Sequence, residues 1–333
     1  MVEVKDKQSE TTQKLAGSLE ADKEVAAKLK ENQNKTSAAV VKSLADEKKD
    51  IYRARKGLGL IKGKEQSDFP FSIRTLTSSD VNDQITKELA DLFRFAFNNE
   101  YGEHIVCQPC GIQQAAWKTF GREEGAIVHL EEMDALNEFP NCPSCSQQME
   151  LNHDPEATFE KLREKFASNA LISMLVDKQT EEVQGVNFAY VTTLEKAFEE
   201  EWKTPFGYTK VPNPMSFRSL DAFLEKVVPL IENEIETENG KKVEAGPDTE
   251  VFCWNCTITK PGARGKGGLQ AIFQDFWGHL PEKTKNNLVL VGESQTHSKY
   301  HQILTRGGLK SQEGILAPGY SLMYRSLKAF LDG

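Results

Sequence analysis

The sequence predicts a mixed α/β (α+β) fold: a mostly antiparallel sheet with flanking helices, a small zinc-knuckle insertion, and a long helix in front. Three observations predict it. From residue 69 onward, apolar runs of strand length alternate with segments of helical periodicity. Two Cys-x-x-Cys pairs lie in one polar segment. The first 55 residues are rich in Lys and Glu and contain no proline. A chain of 333 residues is long enough for two domains, or for one domain with insertions.

The charge is divided unevenly between a basic head and an acidic body. Residues 1–66 carry 15 Lys and Arg against 11 Asp and Glu, and residues 67–333 carry 26 against 39. An acidic body argues against a nucleic-acid partner, which needs a basic footprint. The sequence contains no run of about 18 apolar residues, which is the length that a membrane-spanning helix requires. The expected location is the cytoplasm, or the virion if the chain is viral.

Residues 1–55 are predicted to form a charged helical extension. Seven apolar residues fall at spacings that return to one helix face: Leu15, Leu19, Ala26, Leu29, Val40, Leu44 and Ile51. We expect residues 10–55 to form a coiled coil or a docking helix, in a homo-oligomer or a larger assembly. The alternative is a solvated charged tail. Residues 56–68, rich in Gly and Lys, are predicted to be a flexible linker.

The globular body is predicted to span residues 69–330. It opens with a strand and a helix, and it continues with two antiparallel strands over residues 170–176 and 186–191. Two segments interrupt it: residues 105–152, which contain the cysteine pairs, and residues 194–246, an acidic helical insertion.

The two cysteine pairs predict a metal site. Cys107 and Cys110 form one knuckle-like turn, Cys142 and Cys145 form another, and 31 residues separate the two turns. Four thiolates on two knuckles complete a tetrahedral site that suits structural Zn²⁺. The apolar content of this segment is too small for a core of its own, so the metal is expected to hold it together.

A Gly-rich turn follows the apolar run 251–258 and precedes a helical pattern that begins at Leu269. The turn reads Arg264, Gly265, Lys266, Gly267 and Gly268. A strand, a Gly-rich turn and a helix leave backbone N–H groups and the positive end of the helix dipole free for a phosphate. An ordinary basic surface turn is the alternative.

The pair Cys253 and Cys256 does not predict a third knuckle. Residues three apart in a strand point to opposite faces, and neither Gly nor Pro lies between them to make a turn. We therefore expect two buried structural thiols.

The order of elements resembles the GNAT superfamily of acyl-CoA-dependent N-acyltransferases. Residues 73–77 resemble its opening strand, and Ile258 with the turn from Arg264 to Leu269 resembles its fourth strand and pyrophosphate loop. Leu269 departs from the small residue usual at that position. The segment from His297 to Leu309 resembles the late helix of the family, with His297 where an Asn often contacts the cofactor and Leu304 where many members carry a Tyr.

The resemblance implies transfer of an acetyl group from acetyl-CoA to an amine of a protein or a small molecule. Ile258, Arg264 to Leu269, and His297 would bind the cofactor. We expect Glu250 to act as the base and Tyr300 to act as the acid for the departing thiolate. The alternative function is a non-catalytic scaffolding protein with a degenerate acetyltransferase fold, docked into a larger assembly by its N-terminal helix and its zinc module.

Overall fold

The computed structural model describes residues 42–43, 45–61, 69–167, 169–203, 219–240, 242–296, 298–316 and 319–333. The chain divides into two units, residues 1–53 and residues 54–333. In the first unit residues 42–43 and 45–53 are helical, and the rest of the predicted extension lies outside the described residues. Within the described part of the chain, no helix combines the length and the hydropathy needed to cross a bilayer.

The described residues of the second unit form ten strands in two sheets. The strands are β1 (Phe71–Thr77), β2 (Ile105–Cys107), β3 (Ile112–Gln114), β4 (Glu150–Leu151), β5 (Ala170–Asp177), β6 (Val183–Thr193), β7 (Glu250–Thr259), β8 (Val289–Gln295), β9 (Lys310–Glu313) and β10 (Tyr320–Ser326). The large sheet has the order β1-β5-β6-β7-β8-β10-β9, and the small one has the order β3-β2-β4. Every pairing is antiparallel except β7 with β8. The predicted mixed, mostly antiparallel sheet is confirmed.

The described part of residues 69–333 contains ten α-helices. They are α1 (Asp83–Asn99), α2 (Ala116–Thr119), α3 (Leu130–Asp134), α4 (Pro155–Phe166), α5 (Leu194–Ala197), α6 (Leu220–Asn239), α7 (Gly268–His279), α8 (Glu282–Asn287), α9 (Lys299–Arg306) and α10 (Leu327–Asp332). A π-helical turn, Phe198–Lys203, continues α5, and residues 204–218 of the acidic insertion lie outside the described residues.

One face of the sheet packs against α1, α4 and α6. Helix α1 begins where Asn82 accepts a hydrogen bond from the backbone N–H of Ile85, and its apolar face, with Leu89 and Phe93, is buried against the sheet. Phe93 of this helix lies 5.7 Å from Phe188 of β6, measured between ring centroids. This face holds the larger of the two main apolar clusters.

The other face packs against α7 and α10. Trp254 of β7 makes edge-to-face contacts with Phe273 and Trp277 of α7, with ring centroids 5.4 and 5.3 Å apart. Burial of these large rings fixes α7, and therefore the Gly-rich turn before it, against the sheet.

Residues 54–61 form a strap along this second face. The Arg55 guanidinium donates to the carbonyls of Gly307, Phe330 and Leu331, which lie at the C-terminal ends of α9 and α10. Leu58 is fully buried, and its carbonyl accepts a hydrogen bond from Trp277 Nε1 at 2.8 Å.

The structure differs here from the predicted linker over residues 56–68. Residues 56–61 belong to the folded unit, and residues 62–68 lie outside the described residues. The Gly and Lys composition is typical of a linker, but Gly59 adopts φ of 68°, and a Cβ there would stand 2.4 Å from the backbone nitrogen of Gln274. Gly59 therefore serves close packing rather than flexibility.

Candidate functional site

The two parallel strands at the centre of the sheet pair over only part of their length. The register runs from Val251 opposite Val289 to Trp254 opposite Gly292 and stops there. Beyond this point β7 stays paired with β6 and β8 stays paired with β10, so a wedge opens between β7 and β8. A cleft of about 640 Å³ occupies the wedge, lined by the second halves of both strands and by the end of α1.

A β-bulge shapes the β7 wall of this cleft. In the pairing with β6, Phe188 faces Cys256 and the next residue, Ala189, faces Trp254, so Asn255 has no counterpart. The extra residue shifts the alternation of side chains. Cys253 and Cys256 consequently contact the same apolar cluster, whereas the sequence predicted opposite faces. Cys253 is buried as expected, but Cys256 lines the cleft.

The Gly-rich turn lies beside the cleft. Gly265 and Gly267 adopt φ of 74° and 80°, which glycine tolerates best. Gly268 begins α7, where a Cβ would stand 2.7 Å from Leu175 Cδ2. Gly267 is the N-cap of α7 and provides no side-chain hydrogen bond, so the first N–H groups of the helix are left for another acceptor.

Arg264 links this turn to the wall of the cleft. Its guanidinium donates to the carbonyl of Thr259, from Nε at 3.1 Å, and forms an ion pair with Glu100 at the end of α1. About half of its side chain remains exposed. Lys266 faces the ring of Phe71, 5.9 Å from its centroid, and does not line the cleft.

Tyr300, at the start of α9, also lines the cleft. Its ring packs edge-to-face on Trp254, with centroids 6.4 Å apart, and its hydroxyl donates to Thr257 Oγ1 at 3.4 Å. Thr257 in turn donates to Asn187 Oδ1 at 2.6 Å, and Asn187 is fully buried. Burial raises the pKa of Tyr300, so the phenol keeps its proton near neutral pH. This chain of hydrogen bonds orients a protonated hydroxyl at the cleft.

Three carboxyl groups line another part of the cleft: Glu103 after α1, Glu201 in the π-helical turn and Glu293 in β8. Burial raises the pKa of Glu293 to about 8, and the charges of Glu201 and Glu103 add to that effect. Glu201 is buried and bound by Lys165 and by the Tyr190 hydroxyl. Glu293 therefore titrates close to neutral pH, as a group that transfers protons at an active site does.

The cleft brings together only some of the predicted site residues. Ile258, Arg264, Leu269 and Tyr300 line it, while Gly265 to Gly268 form the adjoining turn. His297 lies outside the described residues.

Glu250 is not brought to the cleft. It is exposed at the opposite end of β7, paired with Thr193, and a strand rise of about 3.3 Å per residue places it about 23 Å from Thr257.

The sequence prediction overlooked Glu103, Glu201 and Glu293. Glu293 left a signal, because a carboxylate follows Gly292 at the end of an otherwise apolar strand.

The predicted metal ligands form a separate cluster. The Sγ atoms of Cys107, Cys110, Cys142 and Cys145 lie within 4.8 Å of one another. A tetrahedral zinc site with Zn–S bonds of about 2.3 Å requires sulfur atoms about 3.8 Å apart, so the arrangement fits Zn²⁺. Backbone N–H groups of Ser144 and Cys145 lower the pKa of Cys142 to about 7, which favours the thiolate that a metal requires.

The cysteine module, residues 105–152, packs against α1, whose end forms one wall of the cleft. His153, just after β4, is buried, stacks on Phe97 of α1 at 5.1 Å between ring centroids, and its Nε2 lies 3.0 Å from Glu103 Oε2. Arg94 of α1 forms an ion pair with Asp134 of the module. Phe97 and Glu103 both line the cleft, so the module supports the surface that carries them.

Comparisons with known proteins give structural likenesses at low identity. No protein-family model and no curated protein sequence matches the chain. A mosquito arylalkylamine N-acetyltransferase-like protein, 5b, is 10% identical; the match covers 76% of this chain and 98% of that one, with a TM-score of 0.37.

Two further solved structures are similar at the same level. A Corynebacterium glutamicum protein described as histone acetyltransferase HPA2 and related acetyltransferase is 12% identical, covering 77% of this chain and 96% of that one, with a TM-score of 0.35. Arabidopsis thaliana NAA60, in complex with a bisubstrate analogue, is 11% identical, covering 52% and 82%, with a TM-score of 0.31. All three TM-scores are below 0.5.

Proposed function

We propose that this chain is an acyl-CoA-dependent N-acyltransferase that transfers an acetyl group to an amine in the cleft between β7 and β8. The observation that carries the proposal is the parting of these strands beside the uncapped start of α7. A cleft that opens next to free helix N–H groups accepts a pyrophosphate at its mouth and a reacting group between the strands.

The cofactor end of the site is formed by the turn and by α7. The N–H groups at the start of α7 would receive the pyrophosphate of acetyl-CoA, and Arg264 would supply a positive charge from its exposed half. Ile258 and Leu269 provide apolar surface at the same end. When bound, acetyl-CoA supplies an activated thioester. The bulge at Asn255 leaves a backbone segment unpaired at the cleft, where an N–H group can polarise the thioester carbonyl.

The chain's own residues provide an acid and a base for the transfer. The amine nitrogen forms a bond to the carbonyl carbon, the bond from that carbon to sulfur breaks, the amine proton passes to the Glu293 carboxylate, and the Tyr300 hydroxyl protonates the departing thiolate. Glu293 takes the role expected of Glu250, because it lines the cleft and Glu250 does not. A Glu titrating near pH 8 is suited to a proton transfer near neutrality.

Zinc is proposed as the structural ion of the cysteine module. The four thiols would hold it, and they lie outside the residues that line the cleft. Its contribution would be to the stability of the module and of the α1 wall, not to the transfer itself.

Isothermal titration of the full-length protein with acetyl-CoA tests the proposal. Gly267→Glu places a negative charge at the start of α7, and Gly314→Glu is its matched control: Gly314 has φ of 77°, and nothing lies within 4 Å of an added Cβ. We expect binding by the wild type and by Gly314→Glu, and loss of binding in Gly267→Glu. Absence of binding by the wild type would favour the scaffolding alternative. Equal binding by both variants would mean that acetyl-CoA does not bind at the start of α7.

A further inference from the structure

Charge is distributed unevenly among the residues that line the cleft. Two cationic side chains, Arg264 of the turn and Lys299 of α9, line it together with four carboxyl groups, those of Glu100, Glu103, Glu201 and Glu293. Two of the acidic groups of the cleft are neutralised by cations of the chain: Arg264 pairs with Glu100, and Lys165 pairs with Glu201. Glu103 and Glu293 have no Lys or Arg partner among the described residues.

Glu103 and Glu293 are the two carboxyl groups open to a ligand. The contact with His153 gives Glu103 a hydrogen bond to one carboxylate oxygen. Glu293 makes no hydrogen bond or ion pair with any described residue. Its neighbour Ser294 is 95% buried and lines the same cleft, and Ser294 Oγ has no hydrogen-bond partner within the described part of the chain. A buried hydroxyl without a partner indicates a group that a ligand satisfies.

Aromatic rings line the same cleft as these carboxyl groups. They belong to Tyr101 and Tyr320. Tyr101 also packs on Phe97, with ring centroids 5.1 Å apart, and about half of it is exposed at the rim. Rings next to a carboxylate form a favourable environment for an ammonium group.

We propose that the acceptor is an aliphatic diamine or polyamine, whose reacting amine meets Glu293 while its second ammonium group binds Glu103 between the rings of Tyr101 and Tyr320. This inference rests on the proposed transferase function and specifies its substrate class. Glu103 would hold the distal ammonium group, and Glu293 would meet the reacting amine, which binds as the free base. On attack this amine becomes the amide and passes one proton to the Glu293 carboxylate, the Tyr300 hydroxyl protonates the departing CoA thiolate, and the distal ammonium remains charged throughout. Ser294 Oγ accepts a hydrogen bond from the amine.

Other acceptors fit this charge pattern less well. The carboxylate of an amino acid would meet Glu103 with like charge. A monoamine would leave Glu103 without a cation, and a peptide lysine would bring its second charge only through a neighbouring residue.

Calorimetric titration of the protein with 1,4-diaminobutane and with butylamine, both without acetyl-CoA, tests the inference. The two probes differ by one ammonium group. We expect the diamine to bind at least about tenfold more tightly, as expected for one additional charge-assisted contact of about 1.4 kcal/mol. Glu103→Gln is expected to remove most of this difference, whereas Glu313→Gln, an exposed position on β9, is expected to retain it.

Glu103→Gln also disturbs the contact with His153, so a second variant keeps the test informative. Tyr101→Leu alters an exposed ring at the rim and is expected to weaken diamine binding about threefold, with butylamine affected less. If acetyl-CoA binds but diamine and monoamine bind equally, this inference is wrong and the transferase proposal stands. If acetyl-CoA does not bind, the transferase proposal fails. Equal diamine affinity in the wild type, Glu103→Gln and Tyr101→Leu would mean that the distal ammonium group does not bind at Glu103.

Discussion

Replacing Glu293 with Gln keeps the shape of the side chain and removes its ionisation. With a pKa of about 8, the Glu293 carboxyl is about one tenth ionised at pH 7 and about nine tenths ionised at pH 9. If the ionised form is the base, kcat/KM for the amine gains about tenfold over this interval beyond the gain from ionisation of the amine itself. Glu293→Gln should lose about 100-fold or more in kcat and should retain acetyl-CoA affinity.

The assay measures initial rates between pH 6.5 and 9.5 at saturating acetyl-CoA. Division of the wild-type rate by the Glu293→Gln rate at each pH removes the ionisation of the amine, which both proteins share. An identical profile in the two proteins, or a variant with wild-type kcat, would refute the assignment of Glu293 as the base.

Thermal unfolding gives an independent measurement of the same group. Burial raises the folded-state pKa from 4.5 to about 8, so the folded protein binds more protons than the unfolded chain between these values. Glu293 therefore lowers the free energy of unfolding as the pH rises through this interval. Glu293→Gln should accordingly have the higher melting temperature of the two proteins above pH 8, and unchanged relative melting temperatures from pH 5 to pH 9 would contradict the environment described for Glu293.

Three further predictions follow from other parts of the chain. Cys142→Ser should purify without the zinc of the wild type, about one ion per chain, whereas Cys253→Ser, a buried thiol outside the cluster, should retain it; equal metal in both variants would contradict the four-thiolate site. Leu58→Ala should lower the free energy of unfolding by about 2–5 kcal/mol in urea, whereas Ile303→Ala at an exposed position should change it by about 0.5 kcal/mol or less; a Leu58 effect no larger than that of Ile303 would mean that the strap does not belong to the fold. Tyr300→Phe keeps the contact with Trp254 and removes the hydroxyl, so kcat should fall about 100-fold at unchanged acetyl-CoA affinity; an unchanged kcat would exclude Tyr300 as the acid.

Local patterns in the sequence predicted the parts of the site that are local in structure. A knuckle is a turn of a few residues, so cysteine spacing was sufficient to predict the cluster of four thiols. A strand, a Gly-rich turn and a helix are likewise continuous in the chain, and the structure places Arg264 and Leu269 beside the start of α7.

Features that depend on pairing between distant strands were not predictable in this way. The bulge at Asn255 exists because β6 supplies one residue fewer than β7, and no pattern within β7 records that difference. The closeness of Glu103, Glu201 and Glu293 requires α1, the π-helical turn and β8 to meet at one cleft. Glu250 lies at the first residue of β7, whereas β7 and β8 separate toward the other end of the strand, a feature that only their pairing determines.

The strap, residues 54–61, shows that composition alone does not distinguish a flexible linker from a segment that packs on the fold. Residues 56–61 have the Gly and Lys content of a linker, yet Leu58 fills a gap that Gly307 leaves open: a Cβ at Gly307 would stand 2.2 Å from Leu58 Cδ1. Complementarity of this kind is a property of two segments about 250 residues apart in the sequence.

The most direct test of the central claim is transfer itself. The full-length protein is incubated with acetyl-CoA and a panel of aliphatic monoamines, diamines, aromatic amines and lysine peptides, and mass spectrometry quantifies acetylated amine and free CoA. We predict equal amounts of both products with at least one amine class, and their loss in Glu293→Gln while that variant still binds acetyl-CoA. An absence of acetylated product from every class, or equal product from the wild type and Glu293→Gln, would contradict the proposed chemistry of this cleft.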